Sequence, residues 1–151
     1  HIVDKGNDLA LGQRTGIDLD TAAQQLSDFC ALLCEVGELL PLEEAKFDAA
    51  SAISGCGPAY CYAFADALAM GGVRCGLPYE TAVRLAAATL RGSAELLLQS
   101  EEHPAALMTK VCSPAGTTIE GIAALRAGGF ESAVSDAVTA ACARSASLAK
   151  K

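Results

Sequence analysis

The stretch from Pro58 to about Cys75 limits the possible folds of this chain more than any other. Its pattern is helical, yet it is apolar nearly all round. Tyr60, Phe64, Ala67, Leu68 and Met70 are spread along it, and Asp66 is the single charge within residues 59–73. A helix apolar on all sides has to be covered on all sides. In a chain of 151 residues that leaves two outcomes: a central core helix, or one covered by another subunit.

The rest of the chain reads as helix almost throughout, rich in alanine and leucine and broken by glycine and proline at helix-end positions. A helix is expected from an N-cap at Asp18 or Asp20 to Val36, with Ala22, Leu26, Phe29, Leu33 and Val36 at three- and four-residue steps and Gly37 as its stop. A short helix follows around 43–52. Pro58 opens the apolar helix, where its missing N–H costs nothing. Gly76 ends that helix and Pro78 starts the next, to about Ser100. Pro104 opens a short helix to about Cys112. Further helices are expected from about Thr118 to Ala127 and, after Gly128 and Gly129, from Phe130 onward. The expectation is all-α, a bundle of about seven helices, with no convincing strand.

Hydrophobic residues make up 52% of the chain and charged residues 19%, so it is a folding sequence. The net charge of −7 argues against nucleic acid and against basic attachment to a membrane surface. No apolar run reaches the roughly 18–20 residues of a bilayer span. Residues 1–17 are polar, contain glycine and lack a clear period. The chain opens on His1 rather than methionine, so this stretch is expected to be a tag, a linker or the remnant of a preceding domain, with residues 18–151 forming one helical domain. The seven cysteines, Cys30, Cys34, Cys56, Cys61, Cys75, Cys112 and Cys142, form no CxxC pair. They read as reduced, buried residues of a cytoplasmic protein. His1 and His103 do not complete a zinc site, and no metal is expected.

Two segments could carry chemistry. Gly55-x-Gly57 lacks the third glycine and the preceding strand of a dinucleotide fingerprint, and Pro58 removes an N–H from the turn. Cofactor binding is therefore not expected there; a tight turn into a buried helix accounts for the glycines. The second segment is Ser113-Pro114-Ala115-Gly116-Thr117-Thr118-Ile119-Glu120. Thr117 with Glu120 three residues on forms the pattern of a capping box. Three hydroxyls, from Ser113, Thr117 and Thr118, crowd one helix start, where free N–H groups and the positive dipole end suit a small carboxylate or phosphate. Plain capping is the simpler account of the same residues. Asp66, inside an apolar helix, needs a partner. Arg74, Arg84 and Arg91 are the candidates, and a catalytic carboxylate is the minority reading.

The order of segments resembles a known family. Ser54-Gly55-Cys56-Gly57-Pro58-Ala59-Tyr60 resembles the Gly-Ser-Gly-Pro-Ala-Tyr motif of pyrroline-5-carboxylate reductases. Gly76-Leu77-Pro78, His103-Pro104 with Leu107, Ser113 to Thr118 (the family's Ser-Pro-Gly-Gly-Thr-Thr), Gly128-Gly129-Phe130, and Ala137-Val138 with Arg144 resemble its later segments in unbroken order. The likeness runs over about residues 20–148.

The resemblance implies the C-terminal helical domain of such an enzyme, interleaved with a second copy in a homodimer and open to assembly into a larger ring. It implies an N-terminal Rossmann domain, absent from this chain, that binds NADPH or NADH, so that this fragment alone is inactive. It implies reduction of 1-pyrroline-5-carboxylate to L-proline in the cytoplasm, with Ser113 and the N–H groups of Gly116, Thr117 and Thr118 on the substrate carboxylate. Thr118 then takes the catalytic role, its hydroxyl hydrogen-bonding the ring nitrogen. Two positions depart from the family pattern: Cys56 replaces a serine, and Ala115 replaces the first loop glycine. If position 115 requires positive φ, alanine strains the loop. Two other readings stay open: a non-catalytic oligomerisation module of the same fold, and an imine reductase acting on another small carboxylate.

Overall fold

The computed structural model describes residues 2–4, 19–33 and 39–148. These form strand β1 (Ile2–Asp4), helix α1 (Leu19–Leu33), strand β2 (Leu40–Leu42) and a 3-10 turn (Glu44–Lys46). Helices α2 (Phe47–Ser54), α3 (Gly57–Arg74), α4 (Tyr79–Gln99), α5 (Pro104–Lys110), α6 (Thr117–Ala127) and α7 (Phe130–Leu148) follow. Among the described residues there are thus seven α-helices, as the glycine and proline punctuation leads one to expect. Asp18, one of the two expected caps of α1, lies outside the described residues, as do Cys34 to Gly37, where that helix was expected to end, and residues 5–17.

The strands correct the expectation of no strand. Ile2, Val3 and Asp4 pair in parallel with Leu40, Pro41 and Leu42. Three residues are too few for polar–apolar alternation to show, and the partner that stabilises them is distant in sequence.

The chain divides into two compact units. One comprises residues 1–55 and 138–151, the other 56–137. In the first, the Ser145 hydroxyl donates to an Asp48 carboxylate oxygen at 2.5 Å, tying the C-terminal half of α7 to α2.

The second unit is built on the α3–α4 hairpin. Its buried residues are small: Ala69 on α3, and Ala82 and Ala86 on α4. Gly72 lies so close to α4 that a Cβ there would meet the Ala82 Cβ at 3.2 Å. Small side chains let the two backbones approach. The turn between them is a Schellman motif. Gly76 takes φ +97°, its N–H donates to the Val73 carbonyl at 2.9 Å, and the Leu77 N–H donates to the Gly72 carbonyl at 3.0 Å. Helix α7 packs against α3 through the tilted Phe64–Phe130 ring pair, 5.5 Å between centroids, and through the Tyr60 hydroxyl, which donates to the Ala137 carbonyl at 3.3 Å.

Alanine alone is buried among the described apolar residues. Tyr62, on α3, is 73% exposed and Leu98 is 75% exposed. Half of the chain is apolar, yet the described residues bury no large side chain, so their hydrophobic surface is turned outward. Cys56, Cys61 and Cys75 are likewise exposed and Cys30, Cys112 and Cys142 half-buried, so none of the described cysteines is buried within one copy, which corrects the expectation of buried cysteines for them; Cys34 lies outside the described residues. No described helix is long and apolar enough to cross a membrane.

Candidate functional site

The hydroxyl-rich loop joins α5 to α6 within the second unit. Ser113 to Gly116 form a β-turn, closed by the Gly116 N–H donating to the Ser113 carbonyl at 3.0 Å. Gly116 then takes φ −81°, ψ 167°, the extended geometry of an N-cap, and α6 begins at Thr117. Glycine is needed at 116 for space: a Cβ there would collide with the Ser113 hydroxyl and lie 3.0 Å from the Ser113 carbonyl oxygen.

This arrangement corrects the capping box. Thr117 is the first helical residue rather than the cap, and Gly116 has no side chain to cap with. The Gly116 N–H is already bonded to Ser113, so Glu120 has no cap N–H to reach back to. The first N–H groups of α6 therefore lack a side-chain cap, and they carry the positive end of the helix dipole. Ser113, Thr117 and Thr118 are exposed around this helix start, and Gly116 is half-buried. All four residues singled out in the sequence thus meet at one turn. The site can offer backbone N–H groups and hydroxyls to a small anion.

Ala115 stands at φ +55°, the one non-glycine residue with positive φ among those described. The loop does require a left-handed residue at the position where the family motif has glycine. A left-handed alanine costs roughly 1–2 kcal/mol.

The other candidates fall outside this site. Gly55 lies in the right-handed helical region as the C-cap of α2, with its N–H on the Ser51 carbonyl at 2.8 Å. A Cβ at Gly55 would stand 2.9 Å from that carbonyl oxygen, so close approach accounts for the glycine. Gly57 is the first residue of α3, and Pro58 follows inside the first turn. No glycine-rich phosphate cradle is formed, and these residues do not fit a dinucleotide.

Asp66 does have a partner, but not an arginine. The Tyr79 hydroxyl donates to it at 2.8 Å. Tyr79 opens α4 and Asp66 lies on α3, so the pair spans the hairpin. The hydrogen bond to Asp66, reinforced by the carboxylate charge, holds the Tyr79 hydroxyl above its ordinary pKa. Sequence reasoning missed this pair because it searched for opposite charges, and a tyrosine thirteen residues away carries none.

A second feature is an apolar groove of about 420 Å³ between α3, α6 and α7, lined by Tyr60, Phe64, Leu68, Leu125, Phe130 and Val134 among others. It offers almost no polar group and is suited to apolar side chains.

Comparison with known proteins gives a consistent result. A family model described as pyrroline-5-carboxylate reductase dimerisation matches residues 44–148. The chain is 47% identical over 127 residues to a pyrroline-5-carboxylate reductase of Synechocystis, covering 84% of this chain and 48% of that protein. It is 46% identical over 117 residues to pyrroline-5-carboxylate reductase 2 of Homo sapiens, covering 78% of this chain and 37% of that protein. Among solved structures, a pyrroline-5-carboxylate reductase from Coxiella burnetii superposes with a TM-score of 0.78 at 31% identity, over 89% of this chain and 48% of the other. A Plasmodium falciparum pyrroline carboxylate reductase with NADP bound gives 0.74 at 34% identity, over 81% and 48%. The chain spans about half the length of most of these relatives or less.

Proposed function

This chain belongs to the pyrroline-5-carboxylate reductase dimerisation family, and from that premise we propose that it is the helical, dimer-forming and substrate-binding half of a reductase. That enzyme converts 1-pyrroline-5-carboxylate to L-proline in the cytoplasm, using NADPH or NADH. The observation that carries the reading is the family match over residues 44–148, which includes the hydroxyl-rich helix start.

The substrate carboxylate is held by the Ser113 hydroxyl and the N–H groups of Thr117 and Thr118, with Gly116 giving close approach at the turn while its own N–H stays on the Ser113 carbonyl. Helix geometry supports this, because those N–H groups lack a side-chain cap. The Thr118 hydroxyl hydrogen-bonds the ring nitrogen. When bound, the nicotinamide supplies a hydride to the C=N carbon, and the nitrogen gains a proton. The contribution of this chain is orientation and charge stabilisation.

The nucleotide is held by a Rossmann domain outside this chain. β1, α1 and β2 support that division: two parallel strands with a helix between them in sequence form the repeating unit of an α/β sheet. In this reading the N-terminal residues are the remnant of that domain. The outward apolar surface of α3 supports a homodimer, with larger rings built from it.

The test uses the complete reductase that contains this chain. Nicotinamide oxidation that depends on pyrroline-5-carboxylate and yields proline is expected, and Thr118→Ala should lower turnover by about 10²-fold or more. Turnover unaffected by Thr118→Ala removes that hydroxyl from the mechanism. The left-handed Ala115 favours a second reading, a dimerising module that has lost catalysis. A folded, nucleotide-binding protein with no turnover of any imine would support it, and turnover of a different cyclic imine would move the substrate instead.

A further inference from the structure

Helix α4 buries Ala82 and Ala86 on the side that faces α3. On its other side Ala88, Arg91, Glu95 and Leu98 follow one another at steps of three, four and three residues, which sets them in one stripe. All four are exposed, Leu98 to 75%. Arg91 and Glu95 are near enough along the helix to pair, yet no ion pair joins them. Glu95 accepts a hydrogen bond from the Gln99 side-chain amide at 3.3 Å. Arg91 has no partner among the described residues.

Gly92 lies at the edge of this stripe. Glycine inside a helix is destabilising relative to alanine. Its backbone here is helical, and a Cβ at 92 would meet nothing in the copy within 4 Å. Neither conformation nor crowding within one copy calls for a glycine. A second helix crossing close to this face supplies the reason.

The stripe is complementary to its own reverse. Laid antiparallel on the same stripe of a second copy, with a twofold axis at the level of Ser93, Arg91 faces Glu95 of the partner subunit. Ala88 receives Leu98 of the partner subunit, a large side chain over a small one. The twofold repeats both contacts, as an isologous interface requires. We infer, resting on the homodimer reading above and deepening it, that α4 pairs antiparallel with α4 of a second copy, with reciprocal Arg91–Glu95 ion pairs across the axis. The charges that find no partner within one copy are neutralised between two, and Leu98 is covered.

The experiment is sedimentation equilibrium of the complete reductase that contains this chain. It compares the dissociation constant between copies for the parent, Arg91→Glu, Glu95→Arg and the combined exchange. Each single change sets like charges against each other at two symmetric places and should raise Kd about tenfold or more. The combined exchange restores opposite charges and should bring Kd back to within about threefold of the parent. Gly92→Leu, unopposed within one copy, should weaken association as well. These positions are exposed, so the fold is expected to persist, and circular dichroism checks it. Single changes and Gly92→Leu that leave Kd where it was overturn the pairing while the homodimer stands. Weakened single variants that the combined exchange does not rescue overturn it too, because Arg91 and Glu95 then meet other groups. A parent that is monomeric takes down the homodimer and the pairing together.

Discussion

Ala115 shows how much one methyl group decides. In the left-handed region its Cβ crowds the backbone, a cost that glycine does not carry. Ala115→Gly is expected to stabilise the protein by about 1 kcal/mol, raising the melting temperature by roughly 2–4 °C in a chain of this size; calorimetry of the two proteins checks it, and an unchanged or lower temperature contradicts the strained geometry. Tyr79 gives a second residue-level outcome. Its pKa is raised by the Asp66 hydrogen bond and charge, so the pair favours the folded state below the ordinary tyrosine range and that contribution disappears as pH climbs through the raised value. Asp66→Asn should bring the titration back down. Ultraviolet titration reads the shift, and Tyr79→Phe assigns it among the three tyrosines.

At the scale of elements, termini were more legible than contacts. Pro58 and Pro104 each stand in a first helical turn, and Gly76 and Gly129 each take positive φ just beyond a helix end. These are local demands of the backbone, so the sequence carries them openly. Gly76→Ala should therefore cost about 1–2 kcal/mol, as alanine is forced left-handed in the Schellman turn. Urea denaturation would register this as a lower midpoint at an unchanged slope, and a neutral substitution would mean the turn can relax. The start of α6 was legible only in part. The hydroxyl cluster and the helix were both visible, but Thr117 was read as cap because the Ser113–Gly116 turn, which moves the cap to Gly116, leaves no separate mark in the composition. The β1–β2 pair was missed altogether, since pairing of two short segments far apart is a non-local event.

On the scale of the whole molecule, the dominant fact is the absence of any large buried side chain among the described residues. Hydrophobic burial is the main force that offsets chain entropy. Among the described residues a single copy buries only Ala52, Ala69, Ala82 and Ala86, so the apolar surface they leave outside is available to a second copy. Leu68, 41% exposed on the wall of the apolar groove, is a sensitive position. The parent is expected to sediment as a dimer and Leu68→Glu as a smaller species, because a desolvated carboxylate without a partner costs several kcal/mol. A parent that sediments as a monomer would sink the homodimer.

The sequence by itself determined the helices, the ends marked by Pro58, Gly76, Pro104 and Gly129, the need to cover the apolar stretch after Pro58, and the cluster of hydroxyls at one helix start. Each follows from periodicity or from backbone chemistry within a few residues. Only the tertiary structure decided that Asp66 meets Tyr79 rather than an arginine, that Gly116 rather than Thr117 caps α6, and that Ala115 is held left-handed. Those outcomes depend on which segments the fold brings together and on the turn it imposes, and no local preference encodes either.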